Sequence, residues 1–212
     1  MDSGWRAVDD RAALVRRGLW LTGFTAAYNV AEAVAALASG LIALSVALIG
    51  FGLDSGIEVS AAVILIWRLR RDHLREEAEH RALRAIGITF LALAVYIVAQ
   101  ASWTLYTATQ PEPSFPGIVI AVLSLALMPP LALAKRRIGK RIGSEAMVAE
   151  SMETIVCSLL SAFLLVGLVA NAVWGWWWAD PLAALLMVPF LLNEGREALE
   201  HARGESEEHT LK

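Results

Sequence analysis

Asp54 and Glu58 stand four residues apart inside an apolar run from about Leu41 to Trp67. Four residues is just over one helical turn, so both carboxyls fall on one face of a helix. A run of that length can cross a bilayer, which takes ~20 apolar residues. An acid near the middle of such a helix costs on the order of 2.5–3.5 kcal/mol on insertion scales, so it must face a partner, a cavity or an ion. Two hard oxygen donors one turn apart make half of a cation site. The plainer alternative is a structural hydrogen-bond pair between helices. Against it, no Lys or Arg falls inside an apolar span to neutralise the acids, and like charges at this spacing repel.

A second apolar run carries the matching half, in Ala149-Glu150-Ser-Met-Glu153-Thr-Ile-Val-Cys157. Glu150, Glu153 and Cys157 fall at i, i+3 and i+7, which is one helix stripe. Glu153 and Cys157 repeat the four-residue spacing of Asp54 and Glu58. Two helices, each offering donors a turn apart, can close a four-coordinate site. Carboxylate oxygen with thiolate sulfur suits a borderline metal such as zinc. Glu150 lies about one turn inside its helix and is either a wet residue or a partner standing behind the ligands. Cys157 has a simple alternative as a small buried hydrophobe. Asn29 and Glu32, one turn apart in an earlier run, either line the same cavity, relay a proton, or form an interhelix contact. Tyr96 and Gln100 read as packing groups. His73, His80, His201 and His209 all lie outside the apolar runs and read as solvated.

The elements that must position these groups are six membrane helices, so the fold class is all-α and polytopic. The chain of 212 residues is 57% hydrophobic and 18% charged, below the quarter that soluble domains carry. The spans fall at about 18–38, 41–67, 85–106, 117–134, 146–173 and 182–193. Ser39-Gly40 reads as the turn between the first two. Gln110-Pro-Glu-Pro-Ser-Phe-Pro116 is a loop by its prolines, and Pro129-Pro130 interrupts the fourth span. Lys135 to Arg141 forms a basic link. Gly175-Trp-Trp-Trp-Ala-Asp180-Pro181 reads as an interfacial turn, with tryptophans at headgroup level and Asp180 as N-cap of the sixth helix. One domain results: a cytoplasmic N-terminal segment at 1–17, a transmembrane domain at 18–195 and a polar cytoplasmic tail at 196–212.

All 18 Lys and Arg fall in four places: the first 17 residues, the Arg68–Arg84 connection, the Lys135–Arg141 link and the tail after Asn193. The three opposite connections hold none. Both termini and both basic loops are therefore placed in the cytoplasm. The net charge of −3 argues against nucleic acid as a partner, and a single cysteine excludes an intrachain disulfide. The first apolar run follows Arg16-Arg17 without a small-residue cleavage pattern and reads as a retained helix.

On these residues the chain resembles the cation diffusion facilitator family. In that family a metal site lies between the second and fifth of six spans. The second span carries a His or Asp and then an Asp four residues on, matched here by Asp54 and Glu58. The fifth carries Ala-Asp, a His three residues on and an Asp four further, matched by Ala149-Glu150, Glu153 and Cys157. Asp180-Pro181 at the start of the sixth span is also family-like. Three of the four ligand positions differ in type, and no His is among them. Counting from Ser39-Gly40 instead puts Gly50 at the first ligand position and Asp54 at the second, with Glu58 a lower accessory acid. Little follows the sixth span, so the likeness is to a short, transmembrane-only branch without the C-terminal cytoplasmic domain.

The resemblance implies efflux of a divalent metal from the cytoplasm across the cell (plasma or inner) membrane. Zinc leads, with cobalt, cadmium, iron or manganese as alternatives, and no prosthetic group is expected. Asp54, Glu58, Glu153 and Cys157 would be ligands. Glu150, Asn29 and Glu32 would stand behind them or carry protons. Protons would be the counter-ion, and the chain would pair as a homodimer. Two other classes compete. An intramembrane metal-dependent hydrolase would use Glu153 or Asp54 as general base, but no span holds a His and no Gly-x-Ser-x-Gly occurs. A metal sensor would bind the ion without moving it.

Overall fold

The computed structural model describes residues 2–70 and 76–210. Six helices follow one another: α1 (Asp2–Ala43), α2 (Val46–Arg70), α3 (Glu76–Thr107), α4 (Phe115–Ile142), α5 (Glu145–Trp174) and α6 (Ala179–Thr210). Among the described residues, five stretches are long and apolar enough to cross a membrane: Ala13–Ala43, Val46–Ile64, Arg84–Thr107, Phe115–Ile142 and Met147–Trp174. The apolar part of α6 is too short to join them. The helix itself runs on for 32 residues through its charged half. Large apolar side chains such as Trp20, Val34, Val95, Phe115 and Val166 point outward, as they must where the surrounding solvent is lipid.

α2 lies at the centre, packed against α1, α3, α5 and α6. α4 packs on α5 and α1, and α3 packs on α6. Small residues set these approaches. A Cβ on Gly52 would meet the backbone of Leu37 on α1 at 3.0 Å, and one on Gly167 would meet Ala183 on α6 at 2.7 Å. Close helix contact through such residues is the usual means of association in lipid, where no hydrophobic force separates helix from solvent.

Local chemistry sets the helix ends. Ser114 and Ser144 cap α4 and α5, their hydroxyls accepting from the amides of Gly117 and Met147. Gly143 and Gly175 close the same two helices in the left-handed conformation, at φ 69° and 66°, which glycine adopts without steric cost.

Several boundaries differ from those expected. α1 runs unbroken from the polar N-terminal segment through Ser39-Gly40. The chain turns instead at Leu44, whose φ of 55° is unusual for a residue with a side chain. Hydrogen bonds hold this turn, from Ser45 N to Gly40 O (3.0 Å) and from Glu112 N to Ala43 O (2.8 Å). Pro129 and Pro130 lie inside α4 and do not end it. Membrane helices tolerate proline where neighbouring groups take up the freed carbonyls. α4 also continues through the basic link to Ile142, which makes Lys135 a helix residue. The tail after Asn193 is continuous with α6. Of the four histidines, His73 lies outside the described residues. His80, His201 and His209 sit on α3 and α6.

Candidate metal site

α1, α2, α4 and α5 converge on a buried polar cluster. Asp54 and Glu58 are 6% and 5% exposed although both are acids in an apolar helix. Glu58 Oε1 accepts from the Thr154 hydroxyl of α5 at 3.0 Å, the Glu150 carbonyl being that hydroxyl's alternative acceptor at 3.1 Å. This contact spans the α2–α5 junction at the height where both halves of the expected site lie. Asp54 is within electrostatic reach of Glu58, Glu32 and Glu194. Glu153 is within reach of Glu194, Glu58 and Glu150. The Cys157 thiol is buried and faces Glu58, with Glu32 and Asp54 close by. The structure thus brings all the sequence-proposed residues of α2 and α5 into one neighbourhood.

The first helix joins the same neighbourhood. Thr22, Thr25, Asn29, Glu32 and Ala36 form its buried stripe. Thr22 donates to Glu150 Oε2 at 3.4 Å, and Ser55 of α2 donates to Glu32 Oε2 at 2.9 Å. Tyr28 and Ser124 of α4 lie beside the Glu32 carboxyl. Tyr96 is 40% exposed and Gln100 partly so, and neither is among the partners in the cluster's hydrogen bonds.

Satisfaction is uneven. Glu58 Oε2, Glu153 Oε2, Glu32 Oε1, Ser124 Oγ and both side-chain polar atoms of Asn29 are buried without a hydrogen-bond partner. Such atoms are rare in folded proteins and each calls for an explanation. Among the described residues, no three His, Cys, Asp or Glu side chains surround a single point closely enough to hold an ion. The acids share a region without forming a finished shell.

One expectation fails outright. The acids are not without a basic partner in the membrane. Lys135 is fully buried, and its Nζ donates to Glu150 Oε1 at 2.6 Å and to Thr154 Oγ1 at 3.1 Å. Glu150 is therefore an ion-paired residue and not a wet one. The signal for Lys135 was present in spacing: Ala121, Ser124, Met128, Ala132, Lys135, Gly139 and Ile142 are the buried stripe of α4, at intervals of three and four. Placing it in a basic link hid it. Thr154, Thr22, Ser55 and Glu194 also went unnamed, because single hydroxyls, or one acid beyond the apolar run, carry no distinctive pattern.

Asp180 takes another role than expected. It lies in the first turn of α6 but caps α2. Its carboxylate accepts from the Ser45 hydroxyl and from the amides of Val46 (2.8 Å) and Ala47 (3.4 Å). Ser45 in turn accepts from Leu48 N at 3.1 Å. The free amides at the α2 N-terminus attract an anion, and the start of α6 supplies one.

Comparison with known proteins finds a family and several relatives. Residues 24–203 match the family described as the cation efflux transmembrane domain. Transmembrane protein 163 of Xenopus laevis is 26% identical over 152 residues, covering 71% of this chain and 54% of that protein. An uncharacterized transporter of Synechocystis is 29% identical over 150 residues, covering 66% of this chain and 48% of that protein. The cation-efflux pump FieF of Shewanella oneidensis is 26% identical over 147 residues, covering 65% of this chain and 49% of the pump. The chain spans about half the length of the curated relatives it matches.

Proposed function

The chain belongs to the cation efflux family of transmembrane domains, and from that premise we propose that it carries a divalent metal cation, zinc first, out of the cytoplasm in exchange for protons. The observation that carries the proposal is the set of buried acceptor oxygens left without donors, Glu58 Oε2 on α2 and Glu153 Oε2 on α5. A buried carboxylate oxygen with no donor is costly, and a dehydrated cation between the two helices would satisfy both. Asp54, Glu58, Glu153 and Cys157 are the proposed ligands. Oxygen and sulfur together favour zinc over magnesium or calcium, which take oxygen alone.

The ligands do not yet enclose a point, so binding requires their side chains to converge from α2 and α5, which are already joined by the Thr154–Glu58 bond. Carboxyl and thiol groups must lose protons to bind metal, so loading releases protons and protonation unloads the site. Zinc affinity therefore falls as pH is lowered. Glu32 and Asn29, next to the cluster on α1, stand on the proposed proton path. Pairing as a homodimer is carried over from the family resemblance alone.

Reconstituted vesicles with an internal zinc reporter and an internal pH dye test this reading. The wild type should move zinc one way and protons the other, and Asp54→Ala should move neither. Zinc binding without flux would make the protein a sensor. Equal flux in wild type and Asp54→Ala would remove the site.

A further inference from the structure

The transport reading leaves Lys135 without a task. Its ammonium is fully buried on α4 and bonded to Glu150 Oε1 and Thr154 Oγ1, at 2.6 and 3.1 Å. Thr22 holds the second oxygen of Glu150. Both oxygens of Glu150 are thus engaged. Three residues on, along the same face of α5, Glu153 keeps a buried oxygen with no donor. These are two acids of one type on one helix, and only the one without the ammonium is left open to a cation.

We propose that Lys135 is a specificity-determining positioning residue: a tethered cation that keeps Glu150 out of the metal's ligand set. The proposal rests on the metal-transport reading above. A carried ion must bind well enough to enter and weakly enough to leave. A further free carboxylate one turn from Glu153 would deepen the well and hold the ion. The ammonium cancels that charge from within. Through Thr154, which also bonds Glu58 Oε1 at 3.0 Å, the same lysine orients the Glu58 carboxylate so that Oε2 stays free. The fixed positive charge also raises the electrostatic cost for a second cation to share the cluster, which matches the site to one divalent ion at a time.

The test is zinc titration calorimetry on the full chain in detergent at pH 8, beside zinc flux in vesicles. Lys135→Gln releases Glu150, so zinc should bind on the order of tenfold tighter, with KM and turnover both falling. Lys135→Arg keeps the charge and should keep the affinity near that of the wild type. In Lys135→Gln/Glu150→Gln the extra carboxylate is gone and the tightening should disappear. Glu150→Gln alone strands the ammonium beside Glu58 and should weaken zinc binding. It also serves as the decisive variant if Lys135→Gln does not fold.

A merely structural lysine would lower stability in every variant without these opposite shifts. The proposal is overturned if Lys135→Gln binds zinc no tighter than wild type, if the double variant stays tight, or if Glu150→Gln binds as well as wild type. A wild-type protein that binds no zinc, cobalt, cadmium or manganese sinks the transport reading as well, whereas any of the other outcomes sinks this one alone.

Discussion

The two ends of the α2–α5 region use buried polar groups in opposite ways. Among the described residues, no buried side-chain polar atom is left without a partner at the end where α2 and α6 begin. Asp180 takes the Ser45 hydroxyl and two α2 amides, and Asn171 donates to the Pro111 carbonyl at 2.8 Å. Deeper in the bundle, Glu58 of α2, Glu153 of α5, and Glu32 and Asn29 of α1 keep atoms without partners. Both sets are buried, so burial alone does not separate them. What separates them is completion. A finished set holds helices in place, and the unfinished one is where the proposed ion would sit.

The largest effect that would sharpen this contrast is at Glu58. Replacing it with Ala should lower zinc affinity by about 100-fold or more while leaving thermal stability unchanged or higher, since a half-satisfied buried acid is removed. A large loss of stability with unchanged zinc affinity would break the comparison. Asp180→Ala should do the reverse. Removing it strands the α2 amides and the Ser45 hydroxyl, which costs about 3 kcal/mol of stability with no change in zinc affinity, read by denaturation and calorimetry on the same sample. Asn171→Ala should cost about 1 kcal/mol, again with binding intact. Tyr96→Phe, on an exposed face, should change neither measurement.

Much of this was legible in the residues. Asp54 and Glu58 on one span, with Glu150, Glu153 and Cys157 on another, mark the polar cluster from sequence alone. The apolar runs located the six helices, but α1, α3, α4 and α6 extend well beyond those runs into charged sequence. The failures share a cause. Ser39-Gly40 and Pro129-Pro130 looked like breaks because Gly and Pro end helices in water. Here close packing absorbs the glycine, as Gly40 lies against Ile49 of α2, and the membrane tolerates the prolines. Lys135 was lost because a charge at the edge of an apolar run normally marks the run's end. It was instead drawn inward by Glu150, a partner fifteen residues on that helix periodicity within α4 could not reveal. Asp180 was read against its own helix, because a sequence shows which residue can cap but not which helix end lies nearest.

The contact between α3 and α6 bears on how such a molecule could move. A methyl on Gly87 would strike the Gly195 carbonyl at 2.8 Å, and one on Gly195 would meet the Gly87 carbonyl at 3.1 Å. Two backbones lying this near behave as a single girder. Glu194, adjacent to Gly195 and within reach of Asp54 and Glu153, is bolted to that girder. The acids of α2 and α5 ride on separate helices. A swing of those helices would change their distance from Glu194, whose own place is set by the α3–α6 contact.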